Sequence, residues 1–174
     1  MRKLKEMLLL EHSKKNTLFI VNKILQRELK LSDVFLIIKL NEPVLAQRAA
    51  WIISTLNDRN PQLIAPHLKD LISLIDRKHH DAVLRATFRT LATKKIKDNE
   101  QGEVFEKSIL LLNNKHTATA IKIWIIDVLM NIAKPHPELQ TEIATSLSLQ
   151  RDGASKGLKG KITKTIVKIN DNFE

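Results

Sequence analysis

The chain has 174 residues, of which 43% are hydrophobic and 28% charged, a balance that supports a buried core and excludes a disordered segment. It has no cysteine, which excludes disulfides, thiolate metal sites and thiol nucleophiles. The net charge of +10 is uneven: residues 1–30 hold eight Lys or Arg against three Asp or Glu, and residues 153–170 hold five Lys and no acid.

In chain order, helices are expected over residues 2–11 and about 14–29, with Ser13 and Asn16 as capping residues. The apolar run Met7–Leu10 ends after four residues at Glu11-His12. That is too short for a signal peptide or a membrane span, so the stretch reads as mature sequence and the protein as cytoplasmic. Residues 1–31 are expected to close one end of a stack. Ser32-Asp33 then looks like a cap before an apolar helix to Leu40, and Pro43 starts a second helix carrying Arg48, Trp51 and Leu56. Asn60-Pro61 opens the next pair: a helix around Pro66–Ile75, a turn over Asp76–Asp81, and a helix over Ala82–Ala92. Lys97–Gly102 reads as a polar linker. Helices are expected over 103–113 and 117–133, then from His136-Pro137 to about Leu149, and finally over Ser155–Ile169.

These pairs repeat. Arg48, Arg85, Lys122 and Lys159 recur every 37 residues, followed three positions later by Trp51, Phe88, Ile125 and Ile162. A period of this length is the signature of stacked helical hairpins, which share one core because no single hairpin buries its own apolar face. The second column is expected to be core. A column of small residues, Ala46, Val83, Ala120 and Gly157, is expected where helices approach closely. The expected organisation is one domain over 1–174 with repeat units at 32–58, 60–95, 102–133 and 136–169.

Leu68–Ala92, with its leucine-rich first helix, acid-containing turn and Val83-x-Arg85-Ala86 second helix, resembles a HEAT repeat. Leu110–Ala133 and Phe35–Leu56 resemble it more loosely, and 139–169 least. The resemblance implies an all-α fold, a right-handed α-α superhelix of about four hairpins behind an N-terminal helical cap. The order of units is also similar to small bacterial HEAT-like proteins, some labelled adenylosuccinate lyase, but the Ser- and Gly-rich catalytic loops of such a lyase are missing here.

Arg48, Arg85, Arg89, Lys122 and Lys159 are the candidate binding residues. Two readings compete for this ladder: a structural one, in which each base bonds an acid or turn carbonyl, and a basic row meeting phosphates or an acidic partner. His79, His80 and His116 lie in turns without a carboxylate or thiolate at ligand spacing apart from Asp81, so no metal site is assigned. Trp124 and Asp127 are the kind of pair that HEAT-like DNA-alkylation-repair glycosylases use. Here Trp124 sits within the apolar run Ile123–Ile126, which Asp127 follows, and aromatics are only 4% of the chain, so core packing is the expected role. No catalytic residue, cofactor or membrane partner is assigned. The expected function is a non-enzymatic adaptor holding a protein or peptide on its second-helix face. Weak, sequence-independent nucleic-acid binding is the alternative, and a structural module without a ligand the second alternative.

Overall fold

The structure, a computed structural model, describes residues 1–76 and 78–171; of the turn expected over Asp76–Asp81, Arg77 lies outside them. The described residues form helices and no strand. The chain divides into two units, Met1–Lys94 and Lys95–Glu174.

The first unit contains α1 (Arg2–Leu10), α2 (Lys14–Leu25), α3 (Leu31–Lys39), α4 (Pro43–Arg59), α5 (Pro61–Ile64), α6 (Leu68–Ser73) and α7 (Asp81–Leu91), with a 3-10 turn at Ala65–His67 between α5 and α6. Pro66 lies in that turn. Its missing N–H and fixed φ separate α5 from α6, so the helix expected over Pro66–Ile75 is α-helical only over Leu68–Ser73. Helix α4 is the centre, packing against α2, α3 and α7. Its inward residues Leu45, Ala46, Ala49, Ile52, Ile53 and Leu56 are all buried. The second unit contains α8 (Asp98–Asn113), α9 (Thr119–Ala133), α10 (Pro137–Gln150) and α11 (Lys156–Asn170), with α9 packed against the other three.

Stacking within each unit is visible in hydrogen bonds between residues 37 apart. In the first, Lys5 donates to Glu42 at 2.8 Å, Arg59 to Asn22 at 2.8 Å, and the Asn41 amide to the Lys78 carbonyl at 3.3 Å. In the second, Gln150 donates to Asn113 at 3.1 Å. Equivalent positions of consecutive repeats are thus spatial neighbours, as nearest-neighbour stacking of hairpins requires.

Several sequence expectations are corrected. Phe88, Ile125 and Ile162 are 0% exposed, but Trp51 is 36% exposed. Its ring meets His12 edge-on at 5.5 Å instead of filling the core. In the small-residue column Ala46 and Val83 are buried, whereas Ala120 and Gly157 are exposed. On α9 and α11 the inward position is the next residue, Ile121 or Leu158, a turn of about 100° around the helix. The expected linker is helical from Asp98, since Asp98 and Glu100 in the first turn complement the helix dipole. Ser32-Asp33 is not a cap, because α3 already begins at Leu31.

Two turns use left-handed backbone without glycine. Helix α2 stops at Leu25, short of the expected 29, because Arg27 has φ 62°. The Glu28 N–H bonds the Lys23 carbonyl and the Arg27 N–H the Ile24 carbonyl, the paired bonds of a Schellman C-cap. Asn41, φ 58°, is also left-handed after α3, and its N–H bonds the Ile38 carbonyl at 3.0 Å. Ser13 caps α2 by accepting the Asn16 N–H at 3.1 Å. The buried Asn16 amide donates to the carbonyls of Met7 and Glu11, satisfying groups that the end of α1 leaves open.

Candidate interaction surface

The candidate basic residues separate into engaged and open side chains. Arg48, on α4, donates to the Leu8 carbonyl at 2.6 Å and so ties the end of α1 to the central helix. Arg89, on α7, pairs with Asp58 of α4 at 2.7 Å. Lys122, on α9, is 8% exposed and donates to Gln150 Oε1 at 2.7 Å. Gln150 in turn reaches Asn113, so the lysine belongs to a network linking the ends of α8 and α10. Burial lowers the Lys122 pKa below the ordinary lysine value, because an ammonium loses hydration there without gaining a carboxylate. Arg85 on α7 and Lys159 on α11 are exposed, with no hydrogen bond or ion pair among the described residues.

The other candidates have local roles. Asp127 pairs with Lys161 of α11, and Trp124 is half-buried beside it on α9. His79 is buried, and its Nδ1 lies 3.4 Å from Asn41 Oδ1. Burial lowers its pKa, an effect that Lys78 reinforces and Asp76 opposes. His80 accepts the Ala82 N–H and caps α7, while the His116 N–H bonds Asn114 in the turn before α9. Among the described residues no group of three or more His, Cys, Asp or Glu is arranged to hold a metal, and no helix is long and apolar enough to cross a membrane.

One surface escapes the spacing argument. The Leu8 carbonyl lies on Arg48 and the His12 ring against Trp51, so the segment Leu8–His12 runs beside one turn of α4. That segment carries Leu9 at 56% and Leu10 at 78% exposure. The sequence signal available was the run Met7–Leu10 itself, four consecutive apolar residues on a short helix that can bury only one side. Met7 and Leu8 turn inward, and Leu9 and Leu10 outward.

No curated protein and no solved structure matches the chain. A family model for the HEAT repeat domain matches residues 4–169, nearly its whole length and both helical units, and the chain therefore belongs to the HEAT repeat family.

Proposed function

We propose that the protein is a cytoplasmic, non-enzymatic interaction module that holds a protein or peptide on the exposed surfaces of its second helices. The observation that carries this reading is the division of the basic ladder. Arg48 and Lys122 are taken up internally, whereas Arg85 and Lys159 stand exposed without a hydrogen bond or ion pair among the described residues. Family membership supports it in general terms, since HEAT repeats are a binding architecture whose function resides in surface side chains. The acid with the most suggestive neighbour, Asp127, is occupied by Lys161.

One observation favours a second reading, nucleic-acid binding. On α11, Lys156, Lys159, Lys164 and Lys168 are exposed, and residues 153–170 contain no acid. Such a helix would contact phosphates without reading sequence. Affinity capture from the native organism, with and without nuclease, separates the two. Protein partners retained after nuclease, and reduced by Arg85→Gln with Lys159→Gln, support the adaptor. Recovery of nucleic acid alone, lost on mutating the α11 lysines, overturns it. Arg48→Gln and Lys122→Gln serve as controls and are expected to lower stability instead.

A further inference from the structure

We infer that the surface formed by Leu9, Leu10, His12 and Trp51, with Lys14 and Lys15 at its edge, is a docking site for an acidic peptide segment bearing large apolar side chains. This rests on the interaction-module reading and names one of its surfaces and the chemistry of its partner.

The apolar part is set by the fold of the first unit. Arg48 and Trp51 are one turn apart on α4, and the chain from Leu8 to His12 is pinned beside them at both ends, by the Leu8 carbonyl on Arg48 and by the His12 ring on Trp51. Between those two contacts stand Leu9 and Leu10, more than half exposed. An exposed tryptophan beside two exposed leucines is a composition that partner surfaces favour, because a large ring and branched chains release much water on burial. Equivalent positions elsewhere do not do this: Phe88, Ile125 and Ile162 are all internal.

Charge selects the occupant. Lys14 and Lys15 form the first turn of α2, are exposed, and have no hydrogen bond or ion pair among the described residues. That turn contains no acid, so two ammonium groups sit at the helix end where the dipole already favours an anion. Arg48, bound to the Leu8 carbonyl, adds a further charge with no carboxylate paired to it among the described residues. Glu11 is the one acid within the segment and does not balance three bases. A second copy of the chain would bring the same excess of positive charge against itself, since residues 1–30 hold eight basic and three acidic residues. A segment that supplies carboxylates to Lys14 and Lys15 and apolar side chains to Trp51 and Leu10 complements both halves.

The test uses the full chain and three helical 18-residue peptides, each with Leu and Phe on one face. The other face is Glu, Gln or Lys. A Trp124→Phe background leaves Trp51 as the single fluorophore, and labelled-peptide anisotropy gives affinities for all variants. The Glu peptide is expected to shift Trp51 emission to the blue and to bind at least about tenfold more tightly than the Gln peptide. That advantage should shrink as salt screens it, and reverse towards the Lys peptide in Lys14→Glu/Lys15→Glu. Trp51→Ala, with its fold checked by circular dichroism, should weaken binding by about tenfold or more. Equal affinities for the Glu and Gln peptides overturn the inference. Glu-peptide binding unaffected by Trp51→Ala also overturns it, while leaving the interaction-module reading in place because the peptide then binds another surface. Binding by none of the three peptides overturns the inference, and the nuclease-controlled capture then decides the broader reading separately. Sedimentation that shows a dimer abolished by Trp51→Ala identifies the occupant as a second copy and overturns the acidic partner.

Discussion

Phe88 and Trp51 hold equivalent repeat positions on α7 and α4, but one is 0% and the other 36% exposed, and truncating each to alanine should separate a core residue from a surface one. For Phe88 the lost transfer free energy is about 1.5–3 kcal/mol. Neighbours packed on all sides cannot close the gap fully, so the total should reach about 3–5 kcal/mol. At Trp51 water refills the space and no closed cavity forms, leaving about 1–2 kcal/mol from lost apolar contact. The chain has two tryptophans, Trp51 in the first unit and Trp124 in the second. Urea unfolding followed at Trp51 in a Trp124→Phe background therefore reports the first unit, with circular dichroism serving for the Trp51 variant. A loss of 3–5 kcal/mol is comparable to the whole stability of many domains. Should Phe88→Ala prevent folding, Phe88→Leu, at about 1–2 kcal/mol, gives the measurable step. Equal costs at the two sites, or a cost below about 1.5 kcal/mol for Phe88→Ala, would refute the packing described for α4 and α7.

Arg27→Gly should stabilise the first unit by up to about 1 kcal/mol, since it removes a side chain from left-handed backbone; thermal melting checks it, and unchanged or lower stability contradicts the C-cap assignment. Gly102→Ala and Gly160→Ala, both within helices and with nothing within 4 Å of an added Cβ, should each raise stability by about 0.5–1 kcal/mol. Stability should fall as pH drops below the ordinary histidine value of 6.5 towards the lower folded-state value of His79. In that window the unfolded chain binds a proton that the folded chain does not. His79→Gln should flatten the dependence, and an unchanged urea-midpoint profile in that variant counts against the buried neutral imidazole. Lys122→Ala should cost the second unit about 2 kcal/mol through its hydrogen bond to Gln150, against less than about 0.5 kcal/mol for Lys159→Ala at an exposed site.

The helical class and the repeat were legible because they depend on periodicities that recur along the chain. Phe88, Ile125 and Ile162 are buried where the 37-residue spacing puts them, and Pro43, Pro61 and Pro137 each stand in the first turn of a helix. Helix ends were less legible. Arg27 ends α2 in a conformation usually reserved for glycine, so composition carries no warning there. Asn16 looks like a cap but is spent on the carbonyls of Met7 and Glu11. The column rule failed at Trp51, Ala120 and Gly157 for a geometric reason. A repeat fixes which residues are equivalent along the chain, but a rotation of one helix about its axis, or a shorter neighbouring hairpin, changes which of them faces inward. The 37-residue spacing contains neither quantity.

The basic ladder shows the same point with charges. Its four members are equivalent by spacing, yet each meets what the adjacent hairpin offers. Arg48 finds the carbonyl of Leu8, because α1 ends after nine residues. Lys122 finds Gln150, the last residue of α10. Neither finds a carboxylate among the described residues, and both charges are held by neutral oxygens, an arrangement that stabilises less than an ion pair would but avoids leaving a buried donor unmade. Arg85 and Lys159 have no such bond among the described residues and are exposed to water. A row that looks uniform in sequence therefore combines two internal ties with two exposed cations. Only the exposed pair can change its contacts without disturbing a helix end, and that freedom is what a residue must have to exchange water for a partner.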